Sequence, residues 1–219
     1  RIKEIAIICH DWNIALIEDT AESLGSFVDG HHTGTFSSMA TFSFNGNKII
    51  TTGGGGMIVT NNSNLASKAK HITTTSKVPH PYEFVHDEIG YNYRMPNLNA
   101  ALGCAQMESL EKFLNVKAAL AEQWQSFFDL HGVNFVQAVE GCKANHWLNA
   151  IILESRKDRD DFLNFTNEKN VMTRPIWNLM SNLDMYKNCQ TDDLKNSLWL
   201  EDRVVNIPSS VPDGALKKV

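Results

Sequence analysis

The sequence predicts an α/β protein, and three observations support that prediction. Short apolar runs that fit β-strands alternate along the chain with longer segments of helical periodicity. Turn-forming residues separate these segments, most clearly the four consecutive glycines at 53–56. Hydrophobic residues make up 42% of the 219 residues and charged residues 21%, values that are ordinary for a globular protein with a core.

The first 130 residues predict helices and strands with irregular segments between them. The predicted elements are a helix over 1–10, a buried parallel strand over 14–17, a loop over 20–37, strands over 39–44 and 57–60, a helix from Asn64 to about 71, a loop over 73–96, and a helical stretch over 97–130 with a break near 114–115. The first helix begins at Arg1 without a capping residue, so we expect that part of the protein precedes this residue.

The remaining residues predict a smaller α/β domain. In chain order its predicted elements are a strand over 146–153, a helix over 157–170, a strand over 171–173 and a helix over 192–205. We therefore expect two domains. The large one covers residues 1–130 and is incomplete at its N-terminus, and the small one covers residues 131–219.

Charge and cysteine content exclude several classes of protein. The net charge is −5 with acids and bases interspersed, whereas binding to nucleic acid requires a basic stripe. The four cysteines are far apart and no histidine cluster has zinc spacing, so we expect free thiols, no metal site and a cytoplasmic protein. No apolar run reaches the ~18 residues of a membrane span and no signal peptide is visible, so we expect no membrane association.

Lys48 is the first candidate for chemistry. It follows a predicted strand and an Asn-Gly turn, and it lies just before the glycine run at 53–56. Ligands of open α/β sheets bind at the carboxyl ends of strands, where a lysine can reach into a cleft. Glycines would let a flat ligand approach the backbone closely. The alternative is a surface lysine beside a flexible loop, so its neighbours decide the interpretation.

Asp19 and Ser43 also lie near the ends of predicted strands. A carboxylate at Asp19 could pair with the nitrogen of a pyridine ring, although a turn or capping role is the alternative. The Ser43 hydroxyl, five residues before Lys48, could bind a phosphate together with neighbouring backbone amides. The glycine run matches neither the P-loop nor the Rossmann pattern, so taken alone it is a weak signal.

The segment 86–95 combines aromatic, amide and guanidinium groups in a predicted loop. Loops on a rigid scaffold often carry functional residues. Arg94 could bind a phosphate or a carboxylate through two parallel hydrogen bonds. The alternative is a structural loop that is anchored by its tyrosines.

Several motifs together resemble one known family. They are Glu18-Asp19-Thr20-Ala21-Glu22-Ser23, Ser43-Phe44-Asn45-Gly46-Asn47-Lys48, Thr52-Gly53-Gly54-Gly55-Gly56 and Gly90-Tyr91-Asn92-Tyr93-Arg94-Met95-Pro96. Their order and spacing are similar to those of the DegT/DnrJ family of nucleotide-sugar aminotransferases, which depend on pyridoxal phosphate (PLP). Segments 173–175 and 206–210 are similar to the C-terminal region of that family, so the resemblance covers nearly the whole chain.

The resemblance implies a role for each matching residue. Lys48 would form the Schiff base to PLP and later move the proton, and Asp19 would pair with the pyridine nitrogen. Glu22 would lie beside the ring and its 3-hydroxyl, and Ser43 would bind the cofactor phosphate. Asn92 would reach the phosphate of the neighbouring subunit's cofactor, which implies a homodimer with shared active sites.

The resemblance also implies the fold, and it shows where this chain differs from the family. The large domain would have the three-layer fold of aspartate aminotransferase. Arg94 matches a further family position, and we expect it to bind substrate. Family members are longer at the N-terminus, and the missing part would hold the first strands of the sheet and much of the sugar pocket. A histidine that the family tends to have near Ser181 is absent here.

The implied reaction is transamination of a nucleotide-linked keto-sugar, with glutamate as the amino donor. The pattern over 43–56 and 173–177 resembles members that act on UDP-linked 4-keto-6-deoxy N-acetylhexosamines, including the legionaminic acid branch, for cell-surface polysaccharide or nonulosonate biosynthesis. Two alternatives stay open. One is a PLP-dependent sugar dehydratase, a class in which histidine replaces the lysine at position 48, and the other is an inactive or scaffold fragment of such an enzyme.

Overall fold

The computed structural model describes residues 1–212 and residue 214, and it is a mixed α/β chain as the sequence predicts. Its helices are α1 (Ile2–Asp11), α2 (Ser63–Thr73), α3 (Asn97–Glu108), α4 (Leu110–Leu130), α5 (Arg156–Glu168) and α6 (Lys195–Glu201). Its strands are β1 (Ile17–Asp19), β2 (Phe27–Val28), β3 (His31–His32), β4 (Met39–Ser43), β5 (Gly56–Val59), β6 (Lys77–Val78), β7 (Val85–His86), β8 (Asn134–Phe135), β9 (Cys142–Lys143), β10 (Asn149–Ile152), β11 (Arg174–Pro175) and β12 (Val204–Ile207).

Residue contacts divide the chain into two compact units. The first unit contains Arg1–Leu114 and Val139–Asn145. The second unit contains Asn115–Ala138 and the chain from His146 onward. Helix α4 therefore begins in the first unit and continues in the second. The division into two domains at residue 130 stays a prediction.

A three-stranded sheet in the order β1–β4–β5 forms the centre of the first unit. β1 pairs in parallel with β4, and Asp19 is the register partner of Thr41. β5 pairs antiparallel with β4, and Ser43 is the partner of Gly56. Since register partners point to the same face, Asp19, Thr41 and Ser43 share one face of the sheet. The carboxyl ends of β1 and β4 therefore lie side by side.

The first strand lies further along the chain than the sequence predicts. The predicted strand covers 14–17, whereas β1 covers Ile17–Asp19, and Glu18 is its buried residue. Helix α1 runs to Asp11, and the Ile14 N–H still donates to the Cys9 carbonyl (2.7 Å), so residues 14–16 connect the helix to the strand. The predicted parallel pairing is confirmed.

Two helix boundaries differ from the prediction, each for a local reason. Asn62 rather than Asn64 caps α2, because its side chain accepts hydrogen bonds from the N–H groups of Asn64 and Leu65 (2.9 and 3.1 Å). The long helical stretch breaks at Ser109 rather than near 114–115, since α3 ends at Glu108 and α4 starts at Leu110. The break therefore comes about one and a half turns earlier than predicted.

The second unit contains an antiparallel sheet in the order β11–β12–β10–β8. Ile151 of β10 and Val205 of β12 are register partners, and both are fully buried. Phe128 and Ala121 of α4 belong to the same apolar cluster. Burial of these side chains is the main force that stabilises this unit.

Two predicted elements of the second unit are wrong. The strand predicted over 171–173 is displaced to Arg174–Pro175. The helix predicted over 192–205 ends at Glu201, because Val204 and Val205 belong to the buried strand β12. A short apolar run is ambiguous between helix and strand, and the antiparallel pairing with β10 selects the strand.

The cysteines follow the prediction within the described part of the chain. The thiols of Cys9, Cys104, Cys142 and Cys189 are free. Among the residues that the structure describes, none of the helices combines the length and the apolar character needed to cross a membrane.

Candidate active site

Lys48 lies on a loop that hydrogen bonds close at its base. The loop leaves β4 at Phe44 and returns to β5. The Phe44 N–H donates to the Gly55 carbonyl (2.9 Å), and the Thr52 N–H donates to the Phe44 carbonyl (3.0 Å). Ile50, two residues after Lys48 in the same loop, is almost fully buried. The position of Lys48 is therefore fixed by strand pairing and core packing around it.

The Lys48 amine contacts the carboxylate of Glu22. The distance from Lys48 Nζ to Glu22 Oε1 is 3.0 Å. The Lys48 side chain is only 13% exposed, whereas that of Glu22 is 53% exposed. The structure thus brings together two residues that the sequence assigned to the same site, with the amine sheltered and the carboxylate open to solvent.

Asp19 and Ser43 lie at the carboxyl ends of β1 and β4, on the same face of the sheet. Asp19 Oδ1 accepts a hydrogen bond from the Ala21 N–H (3.1 Å), which starts the turn that leads to Glu22. The Ser43 hydroxyl oxygen accepts from the Asn45 N–H (3.3 Å) at the start of the Lys48 loop. Each of the two residues therefore introduces a loop of the candidate site.

Thr20, which the sequence analysis did not single out, anchors the turn after Asp19. It is buried, and both its N–H (3.0 Å) and its hydroxyl (2.6 Å) donate to the Thr41 carbonyl of β4. These two bonds continue the β1–β4 pairing beyond the last residue of β1. They hold the start of the Asp19–Glu22 turn against the strand that leads to Lys48.

Glu18 is a buried carboxylate that organises the loop in front of β4. It is 8% exposed and accepts hydrogen bonds from the N–H groups of Gly34 (2.7 Å), Phe36 (2.8 Å) and Ser37 (3.0 Å). The Ser37 hydroxyl also donates to it (2.9 Å). Burial of a carboxylate is tolerated when its acceptors are satisfied in this way. The alternation of side chains along a strand could have indicated that Glu18 points away from Asp19.

Asn145 is a second residue that sequence reasoning missed. Its side-chain amide donates to the carbonyls of Glu22 (2.8 Å) and Leu24 (2.9 Å). Its own N–H donates to the Ser26 hydroxyl oxygen (3.1 Å). Asn145 follows Glu22 by 123 residues, and no local pattern in the sequence signals a contact at that separation.

Asn92 and Arg94 line a groove beside β5. The groove has a volume of about 1020 Å³, and segment 92–96, strand β5 and helix α2 contribute to its walls. Both residues are exposed. An open groove of this size that is lined by an amide and a guanidinium can accept a polar, anionic group.

The segment that carries Asn92 is attached to the C-terminal end of α2. The Tyr91 N–H donates to the Ile72 carbonyl (2.7 Å), and the Thr75 N–H donates to the Tyr91 carbonyl (3.0 Å). At Gly90, a Cβ atom would lie 2.5 Å from the Ser76 backbone nitrogen, so this position requires glycine. The close approach of the two chain segments fixes the path of the backbone toward Asn92.

A small charged cluster joins helix α2 to the segment that follows β7 in the first unit. His71 Nε2 is 2.6 Å from Asp87 Oδ1, and this hydrogen bond lowers the pKa of Asp87. Among the described residues, His71, Asp87 and Glu88 could together contact a metal ion. The Lys68 ammonium already donates to Glu88 (2.5 Å), which supplies a positive charge there. The absence of a metal site stays a prediction.

Known proteins resemble this chain over most of its length. GDP-perosamine synthase of Vibrio cholerae is 34% identical over 213 residues, which are 95% of this chain and 57% of that protein. UDP-4-amino-4,6-dideoxy-N-acetyl-beta-L-altrosamine transaminase of Campylobacter jejuni is 35% identical over 158 residues, or 72% of this chain and 38% of that protein. This chain spans about half the length of the curated relatives that match most of it.

The fold agrees with the sequence comparison. PseC of Helicobacter pylori, an aminotransferase involved in the biosynthesis of pseudoaminic acid, superimposes with a TM-score of 0.91 at 19% identity. The match covers 99% of this chain and 60% of PseC. At this level of identity the likeness shows the fold alone, which is the mixed α/β fold of an aminotransferase.

The description of a whole protein family also matches this chain, and it is stronger evidence for the assignment than any single relative. It matches residues 1–213 and is that of the DegT/DnrJ/EryC1/StrS aminotransferases. PLP, the predicted cofactor, is the cofactor of this family. The matched range includes every residue that the motifs singled out, from Glu18 to Ser210. The resemblance is therefore confirmed, and the chain belongs to the DegT/DnrJ/EryC1/StrS aminotransferase family.

Proposed function

We propose that this chain carries the PLP-binding residues of an aminotransferase that converts the keto group of a nucleotide-linked sugar to an amine. One observation supports this most directly. The sheltered amine of Lys48, on the loop after β4, lies 3.0 Å from Glu22 on the turn after β1, and Asp19 and Ser43 are the last residues of those two strands. Lysine, carboxylate and hydroxyl groups at one edge of a sheet fit an aldehyde, a ring nitrogen and a phosphate.

Each residue has a distinct task in this proposal. Lys48 would hold the cofactor through its aldehyde carbon, with loss of water, and its free amine would serve as the group that accepts and returns a proton at the reacting carbon. Asp19 holds a proton on the pyridine nitrogen. Ser43 donates its hydroxyl to the cofactor phosphate. When bound, PLP supplies a ring that withdraws electrons from the reacting carbon.

Glu22 has a position beside the cofactor ring in the proposal, next to the 3-hydroxyl. Its contact with Lys48 is consistent with that position, because the amine and the 3-hydroxyl flank the same aldehyde carbon. The Glu22 carboxylate is half-exposed, so it is accessible to a ligand that binds beside it. Glu22 thereby orients the amine toward the aldehyde.

In this proposal Asn92 and Arg94 bind groups other than the cofactor held by Lys48 of the same chain. We assign Asn92 to the phosphate of the cofactor in a partner subunit, so the active form is a homodimer with shared sites. Arg94 lies two residues later and lines the same groove. Its guanidinium binds an anionic group of the substrate through charge-assisted hydrogen bonds.

The substrate that we propose is a UDP-linked 4-keto-6-deoxy-N-acetylhexosamine, with glutamate as the amino donor. One relative is named for a UDP-linked amino sugar and another for a GDP-linked one, which supports the sugar class more strongly than the nucleotide. The product would enter cell-surface polysaccharide or nonulosonate biosynthesis. The reaction uses diffusible nucleotide sugars, and we place it in the cytoplasm.

The proposal is tested by trapping the cofactor on the protein. PLP is added to the purified protein, the bond is reduced with borohydride, and the modified peptide is identified by mass. We expect the label on Lys48. Label on other lysines with Lys48 unmodified would contradict the proposal and favour a scaffold role.

Substrate choice requires a second experiment. The UDP-, GDP- and dTDP-linked 4-keto-6-deoxy sugars are each incubated with the protein, PLP and glutamate, and formation of 2-oxoglutarate is followed. We expect turnover with the UDP-linked N-acetylated sugar. Loss of water from the sugar without consumption of glutamate would instead identify a dehydratase.

A further inference from the structure

We propose that Asn145 is a positioning residue for the reaction at Lys48, and this inference rests on the proposed function. Asn145 holds the turn that carries Glu22, and Glu22 in turn contacts the Lys48 amine. Three segments that are remote in sequence are thereby joined by hydrogen bonds. Asn145 would act through Glu22, without touching the cofactor or the substrate.

Segment 139–145 follows a path that pairing with β2 determines. Strand β9 in this segment pairs with β2, with Phe27 opposite Lys143 and Val28 opposite Cys142. The Asp29 N–H donates to the Gly141 carbonyl (2.7 Å). Backbone hydrogen bonds therefore place the segment against the chain that follows the Glu22 turn.

Gly141 makes this placement specific. Its φ is +78°, and a Cβ atom there would lie 2.5 Å from Asp29 Oδ1. The left-handed backbone favours glycine, whereas the contact with Asp29 involves the end of an exposed side chain that can move aside. A residue with a side chain at position 141 would therefore strain the backbone that leads to Asn145.

The Asn145 side chain is buried and forms hydrogen bonds to the Glu22 turn. The residue is 6% exposed, and its amide group donates to two carbonyls of the same turn, those of Glu22 and Leu24. A buried amide that bridges two carbonyls restricts both peptide groups. The backbone position from which the Glu22 side chain extends is therefore set by Asn145.

The Glu22 turn is linked to the reactive amine through the Glu22 side chain. Glu22 Oε1 lies 3.0 Å from Lys48 Nζ, so a shift of the Glu22 backbone changes the position in which the amine is held. A displacement of about 1 Å at a reacting group can cost on the order of a hundredfold in rate. A positioning role thus predicts an effect on the rate of cofactor attachment.

Asn145→Asp is the test variant, because it keeps the shape and replaces the two donors with an acceptor. Asn167→Asp is the control in the second unit, since the Asn167 side-chain amide likewise donates to two carbonyls, those of Leu163 and Thr173, but at an exposed position remote from Glu22 in sequence. Two quantities are measured on the full chain. One is the rate at which added PLP attaches to Lys48, and the other is hydrogen exchange in peptides that cover residues 20–26.

We expect Asn145→Asp to attach PLP at least tenfold more slowly and to exchange faster over residues 20–26. Asn167→Asp should match the wild type in both. If the aspartate variant does not fold, Asn145→Ser, which keeps one donor, should show an intermediate rate. A wild-type rate in a folded position-145 variant with faster exchange would overturn the proposal and leave Asn145 a purely structural role.

Failure of the proposed function has a different signature. In that case the wild-type protein itself would show no attachment at Lys48, and the positioning role would be overturned with it. Normal attachment in both the wild type and the Asn145 variants would overturn the positioning role alone.

Discussion

The Nζ atom of Lys48 lies 3.0 Å from Oε1 of Glu22, although the two residues are 26 positions apart. The amine belongs to the loop after β4 and the carboxylate to the turn after β1. Parallel pairing of these strands brings both segments to the same edge of the sheet. The contact between the two side chains is therefore a consequence of the sheet topology.

Replacement of Lys48 by methionine should abolish covalent attachment of PLP and leave the fold intact. Methionine retains an apolar stem of similar length, and a pair with a half-exposed carboxylate contributes roughly 0–1 kcal/mol. We expect the free energy of unfolding in urea to change by less than about 1 kcal/mol. Lys3→Met is the control, because Lys3 is a more exposed lysine that pairs with an equally exposed carboxylate, that of Asp29 (2.7 Å), and it should keep the attachment at Lys48.

Replacement of Glu18 by glutamine should destabilise the first unit. The glutamine NH₂ group cannot accept the hydrogen bonds that Phe36 and Ser37 now donate to one carboxylate oxygen. A buried donor that is left unsatisfied costs about 1–3 kcal/mol, so urea unfolding should shift by roughly that amount. Glu108→Gln, an exposed change in α3, should have no measurable effect. Equal stability of the two variants would contradict the buried role of Glu18.

Lys117 of α4 should make the stability of the second unit depend on pH in the alkaline range. It is buried, and its ammonium donates to the carbonyls of Ser209 and Trp147. Burial lowers the pKa of Lys117 from 10.5 to about 8. Between these two values the unfolded chain binds the proton and the folded chain does not, so stability rises with pH across that window.

Comparison with Lys117→Met isolates this effect. The free energy of unfolding of the wild type, minus that of the variant, should be constant below pH about 8 and increase by on the order of 2 kcal/mol toward pH 10.5. The burial-lowered pKa of His146 nearby means that this imidazole is already neutral in the window. Lys169→Met, at an exposed position, should show no such slope. A flat difference for Lys117→Met would contradict the burial of the amine.

Local patterns were sufficient to predict β4, the turn before Lys48 and the parallel neighbour strand. Each depends on a few consecutive residues, such as the alternation in Met39–Ser43 followed by Asn45 and Gly46. The predicted boundaries of β1 and α2 were wrong. The Ile14 N–H is bonded to the Cys9 carbonyl of α1, and Asn62 rather than Asn64 is the N-terminal capping residue of α2. Tertiary and capping contacts of this kind override propensity.

The contacts that hold the candidate site could not be read from local patterns. Glu18 binds backbone N–H groups 16 to 19 residues away, and Asn145 binds carbonyls more than 120 residues away. Such bonds exist only after the sheet has formed. Residues with a reactive side chain, such as Lys48, can be recognised in a sequence, whereas residues that position them have ordinary polar side chains.

Alanine substitutions in the glycine run distinguish its backbone role from a ligand role. At Gly56 a Cβ atom would lie 2.4 Å from the Phe42 carbonyl oxygen, inside the β4–β5 pairing. At Gly54 no atom lies within 4 Å of the Cβ position, and the backbone is outside the left-handed region. Overpacking typically costs 1–3 kcal/mol, so Gly56→Ala should lower the free energy of unfolding by about 2 kcal/mol. Gly54→Ala should leave it unchanged or raise it by up to about 1 kcal/mol.

The same two variants test whether the glycines provide room for a flat ligand. If that were the main role of the run, Gly54→Ala would weaken attachment of PLP to Lys48 without any loss of stability. We instead expect Gly54→Ala to attach PLP at the wild-type rate. For Gly56→Ala we expect both a lower free energy of unfolding and a slower attachment of PLP. An added Cβ at residue 56 would push β5 away from Phe42. That displacement would weaken the hydrogen bond between Phe44 and Gly55, which closes the Lys48 loop.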